Sequence, residues 1–396
     1  MDLPTQIGRY QILDRIAQGG MADVYLARTF GVEGFEKRLV VKRIRPPLAR
    51  SPRLVAMFIN EARIAVSLNH PNIVQVYELN RAGDDWFIAM EHIHGRDLTR
   101  IRRTFEAQNR RVPIPLAVFT VATALRGLAY AHGLTDQDGR RLGIVHGDIS
   151  PHNVVVSFAG EVKVVDFGIA RLAGKGAGDQ NDRPGGGKFA YMSPEQVRGR
   201  DLDQRSDVYS TGIVLYELLV GHRLFQHPDP EEKLRRVREA IIPDPRDENP
   251  DIPEDLWCIL QRALAKEPED RFDTSEEMEQ ALRSFLYHHQ LRADASTLAA
   301  CMREAFSHEA LADPAVGDLS RLADDLRMLE LGSSLDQPSA DEEDAEEGRQ
   351  GTATPSWMPT QAEELKGIVV VSVEFSGDTG LAEQVDPSSL MELERA

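Results

Sequence analysis

The sequence predicts an α+β fold in two lobes: a five-stranded antiparallel sheet carrying one helix, then a mostly helical lobe. Three observations carry this expectation. Residues 8 to 90 fall into short apolar runs separated by Gly and Asp turns, the mark of a meander, and one helical stretch interrupts them. From about 97 onward the apolar residues recur at helical spacing. With 396 residues, 41% hydrophobic and 28% charged, the chain is long enough to bury two cores. The expected divisions are an N-terminal extension (1–7), a first lobe (8–90), a second lobe (91–287), a helical extension (288–330), an acidic disordered linker (331–366) and a tail (367–396) with a strand-like segment.

In the first lobe, Tyr10-Gln-Ile-Leu-Asp-Arg-Ile, Asp23-Val-Tyr-Leu-Ala-Arg and Arg38-Leu-Val-Val-Lys42-Arg-Ile read as strands. The loop joining the first two holds Ile16, Ala17, Gln18, Gly19, Gly20, Met21, Ala22, Asp23 and Val24. A Gly pair there is what an ordinary hairpin uses, and small residues also let backbone amides approach a phosphate closely. Lys42 lies in a strand otherwise built of Val and Ile, where a charge needs a partner. Ser51-Pro52 reads as the cap and first turn of a helix whose apolar face is Leu54, Phe58, Ala62, Ala65 and Leu68. Glu61 lies beside that stripe, as counterion to Lys42 or as a solvated residue. Asn72 to Glu78 and Asp85 to Glu91 complete the five strands, and Glu91 to Gly95 is a connector. Met90, read from sequence alone, is core.

The second lobe opens with a helical pattern from about 97 to 142. There follows Ile144-Val-His146-Gly147-Asp148-Ile-Ser150-Pro-His-Asn153, then a short hairpin, then Val165-Asp166-Phe167-Gly168. An Asp, an Asn five positions on, and a second Asp thirteen beyond that each follow a Val-rich run. A carboxylate placed as a base can meet an attacking hydroxyl, while an Asn and another carboxylate are hard oxygen donors suited to Mg²⁺ on triphosphate oxygens. This is the layout of a phosphotransfer site. Residues 169 to 192 have no periodicity and read as a long exposed loop ending at Lys188-Phe-Ala-Tyr191-Met-Ser193-Pro194-Glu195-Gln196. Ser206-Asp207 then opens an apolar helix that stops at Gly221.

The order of these motifs, over about 280 residues, resembles the protein kinase superfamily, and in style the bacterial serine/threonine kinases. The resemblance implies a bilobal protein kinase fold and transfer of the ATP γ-phosphoryl group to serine or threonine hydroxyls of protein substrates. It implies Asp148 as base, Asn153 and Asp166 as Mg²⁺ ligands, and Lys42 paired with Glu61 on the phosphates. Residues 16 to 24 become the phosphate-covering loop, with Ala17 and Ala22 where glycines are usual. Met90 becomes the gatekeeper, and the backbones of Glu91 and Ile93 bond adenine. Asp207 is expected to hold the catalytic-loop backbone and Arg271 to pair with Glu195.

Two departures stand out. Gly147 replaces the Arg that in the family receives a loop phosphate, and residues 169 to 190 contain no Ser, Thr or Tyr. The expectation is an activity that does not depend on loop phosphorylation, with Tyr191 and Ser193 as the remaining candidate sites. Ser150 stands where a Lys is usual and Lys188 where a Thr is usual. Either amine and hydroxyl have exchanged places, keeping a positive charge for the phosphoryl group, or Lys188 is a solvated loop lysine. The competing readings are a pseudokinase scaffold and a small-molecule hydroxyl kinase.

Charge and cysteines narrow the setting. Of the net charge of −18, residues 331 to 396 supply −12, with 15 acidic against 3 basic residues. An acidic balance argues against nucleic acid as partner. Cys258 and Cys301 have no metal-ligand spacing and read as reduced thiols. No run of the roughly 18 apolar residues that spans a bilayer was evident, so no membrane insertion and a cytoplasmic location are expected. The strand-like segment 367–375 reads as a docking element for a partner's sheet edge or as a sticky segment.

Overall fold

The fold is described from a computed structural model that covers residues 3–31, 36–167, 171–172 and 188–307, with only the backbone at 171, 172, 188 and 230. The acidic linker, the segment 367–375, most of the 169–190 loop and the extension beyond 307 lie outside the described residues.

The first lobe is one antiparallel sheet. Its strands are β1 (Gln6–Ile7), β2 (Tyr10–Gln18), β3 (Ala22–Phe30), β4 (Glu36–Ile44), β5 (Val76–Ala82) and β6 (Asp85–Glu91), in the order β1-β2-β3-β4-β6-β5. Six strands stand where five were expected. The extra one lies within the expected N-terminal extension: Gln6 and Ile7 turn back at Gly8 to pair with Gln11 and Tyr10. Two residues are too few to show periodicity. The next departure is at Asn72 to Gln75, read as strand but irregular here; β5 begins at Val76, and Ile73 instead forms an isolated bridge to Val164 in the second lobe.

Alternation along β4 positions the site. Side chains in a strand point to opposite faces by turns, so Leu39 and Val41 join the core formed with Tyr10, Tyr25 and Phe87. Val40 and Ile44 face the other way, toward Phe58 and Ala62 of helix α1 (Pro52–Ser67). Lys42 shares their parity and therefore faces α1. On that helix Glu61 falls between Phe58 and Ala62 on the buried stripe, as residues three and four apart share a helix face.

A short strand β7 (Gly95–Asp97), not foreseen in the connector, leads into α2 (Leu98–Ala107) and α3 (Ile114–Gly133). The helical pattern from 97 to 142 is divided between these two helices, with Pro113 opening the second. By length and hydropathy alone α3 is apolar enough to cross a membrane, contrary to the sequence reading. However, 67% of its most apolar window is buried inside the lobe, as befits a core helix. Strands β8 (Ile144–Val145), β9 (Val154–Ser157) and β10 (Val162–Val164) follow, the last two forming the expected hairpin, with β7 on its outer edge. Arg171–Leu172 (β11) pairs with β8.

The remaining helices are α4 (Pro194–Val197), α5 (Gln204–Val220), α6 (Pro230–Glu239), α7 (Glu254–Ala263), α8 (Ser275–His288) and α9 (Ala295–Ala305). Every residue of α5 from Ser206 to Val220 is buried. It stops at Gly221, whose φ of 98° is left-handed and unfavourable for other residues. The cap of α5 is Asp203, not Ser206, which lies inside the first turn.

Candidate active site

Lys42 links three elements. Its Nζ donates to Glu61 Oε1 at 2.6 Å and to Asp166 Oδ1 at 2.9 Å, which ties β4 to α1 and to the second lobe. Burial works against the ammonium charge, but Asp166 and Glu61 outweigh it and hold the Lys42 pKa above its ordinary 10.5. Asp166 adopts φ 58°, a left-handed conformation that costs a non-glycine residue energy and recurs at functional sites.

The loop foreseen over the phosphates caps the β2–β3 hairpin. Ile16, Ala17 and Gln18 end β2, with Ala17 opposite Val24 and Gln18 opposite Asp23. Gly19, Gly20 and Met21 form the turn, closed by the Gly19 amide on the Ala22 carbonyl at 2.9 Å. Residues 16 to 20 are exposed, so this edge is open to a ligand. Beneath it lies an apolar cluster containing Ala22, Val40 and Met90, with the half-buried Val24, Ile93 and Val165 against it. Met90 and Glu91 end β6, and the Glu91 carboxylate accepts from Lys163 Nζ of β10 at 2.9 Å. These residues together present a flat apolar wall below a loop of small residues.

On the opposite side, the catalytic-loop sequence is held mainly through its main chain. Asn153 Nδ2 donates to the Asp148 carbonyl at 2.8 Å, with Asp148 Oδ2 at 3.4 Å. The Asp148 amide donates to His146 Nδ1 at 3.3 Å, and His146 Nε2 faces the Val165 carbonyl at 3.2 Å. Those partners assign the Nε2–H tautomer to this fully buried ring, which joins the loop of Asp148 to the strand end before Asp166. Below, Asp207 of α5 accepts the amides of His146 and Gly147, both at 2.8 Å, and His132 Nε2 of α3 at 2.8 Å. Burial pushes the Asp207 carboxyl up, but the bonds from His132 and the Gly147 amide outweigh it and keep its pKa below the ordinary 3.8.

The end of the 169–190 loop is anchored in the same way. Glu195 accepts two bonds from the fully buried Arg271, both at 2.8 Å, and one from Ser206 Oγ at 2.6 Å. Burial alone would raise the Glu195 carboxyl; the Arg271 guanidinium holds it below 4.5 instead. Tyr191 is buried and its hydroxyl donates to Glu217 Oε2 at 2.9 Å. Ser193 is fully buried and caps α4 in a reciprocal box with Gln196.

The structure therefore brings together Lys42, Glu61, Asp148, Asn153 and Asp166, with the 16–24 loop and Met90, Glu91 and Ile93 beside them. Ser150 is 9% exposed, and its carbonyl accepts from the Asn153 amide at 2.9 Å. Lys188 opens the 3₁₀ turn Lys188–Tyr191, but its side chain lies outside the described residues, so the proposed exchange with Ser150 has no geometry to report. Sequence reading missed the roles of His132, His146 and Gln196. The Ser193-x-x-Gln196 spacing is a capping-box signature and was the one available signal for the last of them. Elsewhere, a cavity of about 880 Å³ lies in the second lobe near Arg110, His222 and His289. These side chains already bond Glu304, Glu248 and Asp255, so that cavity offers little to a charged substrate.

The donor set also fits a divalent cation. No group of three His, Cys, Asp or Glu gathers among the described residues. Asn153 and Asp166 could offer two hard oxygen donors, a number that suits Mg²⁺, which keeps waters and phosphate oxygens in its shell.

Comparison with known proteins is consistent with this geometry. Residues 10–284 match the protein kinase domain family. The tyrosine-protein kinase MasK of Myxococcus xanthus is 40% identical over 304 residues, 76% of this chain and 47% of that protein. The serine/threonine-protein kinase PknB of Mycobacterium leprae is 38% identical over 280 residues, 69% of this chain and 42% of that protein. PrkC of Bacillus subtilis, also a serine/threonine-protein kinase, is 34% identical over 277 residues, 70% of this chain and 40% of that protein. Each match thus spans less than half of the relative. Among solved structures, the kinase domain of Mycobacterium tuberculosis PknI superposes with a TM-score of 0.54 at 26% identity, covering 72% of this chain and 99% of that one. The fold, the Lys42 cluster and these matches agree, and the chain belongs to the protein kinase family.

Proposed function

We propose that this kinase transfers the γ-phosphoryl group of ATP to serine and threonine hydroxyls of protein substrates. The observation that carries the reading is the Lys42 bridge to both Glu61 and Asp166, set across from Asp148 and Asn153. The apolar wall of Ala22, Val24, Met90 and Ile93 suits a purine ring, with the Glu91 and Ile93 backbones at its edge. Lys42 holds the α- and β-phosphates, and the 16–24 loop covers them. Asn153 and Asp166 would hold Mg²⁺, which would supply neutralisation of charge on the phosphate oxygens. Asp148 orients the acceptor hydroxyl and takes its proton as the new oxygen–phosphorus bond forms, and the bond to the β-phosphate oxygen breaks to leave ADP. Two unpaired thiols, Cys258 and Cys301, support a cytoplasmic setting for this domain.

Serine/threonine preference follows the names of PknB and PrkC and stands against that of MasK. Phosphoamino-acid analysis after incubation with labelled ATP, Mg²⁺ and a generic protein substrate decides it. Phosphoserine and phosphothreonine are expected; phosphotyrosine alone overturns the preference. No labelling above that of Asp148→Asn would favour a scaffold, and labelling confined to small hydroxyl compounds would favour a small-molecule kinase.

The activity is also proposed to need no loop phosphorylation. Residues 169 to 190 offer no hydroxyl acceptor, and the two nearest hydroxyls are already used, Tyr191 on Glu217 and Ser193 in the cap of α4. Phosphatase treatment should leave turnover unchanged. An activating phosphate found by mass spectrometry between 169 and 193 would contradict this.

A further inference from the structure

We propose that Gln196 is a positioning residue that orients Asp148 by holding the Gly147 carbonyl, and so couples the end of the 169–190 loop to the catalytic loop. The inference rests on the kinase reading above. Gln196 Nε2 donates to the Gly147 carbonyl at 2.8 Å, and Gln196 Oε1 accepts the Ser193 amide at 2.8 Å. One amide group thus bridges two segments 49 residues apart, and its donor and acceptor ends are assigned by their partners.

The carbonyl it holds belongs to the peptide plane directly before Asp148. The N–H of that same plane is taken by His146 Nδ1, and the N–H of the preceding plane by Asp207 Oδ1. Gln196 is the side chain that fixes the remaining polar group. Without it the plane has one fewer restraint against rotation, and the Asp148 carboxylate moves with the plane. Misplacing a catalytic group by a fraction of an ångström is enough to slow a reaction that depends on alignment.

Gly147 makes this route necessary. It sits at φ 69° and has no side chain with which to reach the neighbouring segment. Any coupling between it and the loop's end must pass through its main chain, and the Gln196 bond does so. Because the bridge is an amide, it needs neither a phosphate nor an acceptor hydroxyl.

Gln196→Glu tests the proposal with almost no change of shape. Glutamate still accepts the Ser193 amide but, ionised, cannot donate to the Gly147 carbonyl. The expected result is a kcat at least tenfold below the parent, an ATP KM within twofold, and an unchanged melting midpoint. The ratio of variant to parent kcat should rise as pH falls from about 8 to about 6, because a carboxyl facing a carbonyl has a raised pKa and regains its donor when protonated. Ser193→Ala removes the α4 cap and leaves the bridge, and should keep kcat within threefold. Parent-like kcat in Gln196→Glu overturns the proposal, as does an equal loss in Ser193→Ala, which would reduce Gln196 to a helix cap. Should the glutamate variant fail to fold, Gln196→Met serves, read by the same kcat and KM. Amide hydrogen exchange across residues 146 to 153, faster in the variant and unchanged in Ser193→Ala, is read whether or not the parent phosphorylates anything. An inactive parent with that exchange pattern therefore rejects the kinase reading and leaves the bridge standing; unchanged exchange in the variant rejects the bridge.

Discussion

The two sides of the site are held by different physics. On the first-lobe side, Lys42 is fixed by charge, through ion pairs to Glu61 and Asp166 that reach across separate elements. On the second-lobe side, Asp148 is fixed through main-chain hydrogen bonds: its amide donates to His146, and the amides of His146 and Gly147 donate to the buried Asp207 carboxylate. Several of their helices also start differently, although α3 and α7, opening at Pro113 and Pro253, resemble α1 in having no side-chain capping bond. Helix α1, which brings Glu61, has Ser51 at its N-cap with no side-chain bond and no acidic residue in its first turn. The caps of α2, α4, α5 and α8 all accept a backbone amide through Asp97, Ser193, Asp203 and Thr274. Helix α1 is packed through Phe58 and Ala62 but its start has no capping bond, whereas the catalytic loop rests on a buried carboxylate that accepts its amides. The difference teaches that the first lobe carries the adjustable half of the site and the second lobe the rigid half.

The sharpest break between the halves should come from removing the chemistry without the scaffold. Asp148→Asn is expected to lower turnover by about 10²–10⁴-fold, the usual range for a lost general base. Asp148 is not part of the Asp207 anchor, so the melting temperature should be unchanged. A large stability loss in that variant would mean that Asp148 is structural.

Next in size is the rigid half itself. Arg271→Ala leaves Glu195 buried without its guanidinium, and breaking such a pair costs about 3–5 kcal/mol. Chemical denaturation should show that loss, against no more than about 1 kcal/mol for Arg9→Ala, whose bridge to Glu78 is largely exposed. Equal losses at the two sites would remove the distinction between anchored and adjustable regions.

pH separates the halves by sign. Glu195 and Asp207 have folded pKa values below their ordinary 4.5 and 3.8. Their contributions are complete above those ordinary values and fade as pH falls through the folded ones. Lys42 is raised above 10.5, so its contribution is complete below that value and fades only as pH rises through the folded pKa. From these groups, urea midpoints should drop as pH falls below about 4.5, with no loss from Lys42 until pH rises past about 10.5. Glu195→Gln should flatten the acid limb. An acid limb identical to the parent's would place the titrating anchor elsewhere.

These contrasts also show what could be read from the letters. Lys42 and Glu61 were legible because strand alternation and the helical stripe aim both at one face. The motif order from Asp148 to Arg271 was legible through its resemblance to the protein kinase family, which alone pointed to Asp207 and to the Glu195–Arg271 pair. Strands β1 and β7 were not, being two and three residues long, too short for any period to register. The start of α5 was misread because Ser206-Asp207 has the composition of a cap. Both side chains instead serve distant partners, Glu195 and the catalytic-loop amides. The Gln196 bridge was hidden for a related reason: a contact across 49 residues leaves no local trace. In physical terms, local periodicity was visible and long-range polar pairing was not.

The smallest effect tests the comparison most finely. If α1 is adjustable because its cap makes no bond, Ser51→Ala should cost no more than a few tenths of a kcal/mol. Thr274→Ala, which removes the bond that the Glu277 amide donates to Thr274 Oγ1, should cost about 1 kcal/mol. Because Thr274→Ala also deletes a methyl, Thr274→Ser is measured beside it, and the Ser-to-Ala step at each position deletes one hydroxyl and isolates the capping bond. Thermal unfolding of these variants beside the parent measures it. Equal shifts would show that Ser51 caps α1 in solution and that the helix is held as firmly as its counterparts in the second lobe. The freedom of the Glu61 side of the site would then have to come from the Lys42 ion pairs alone.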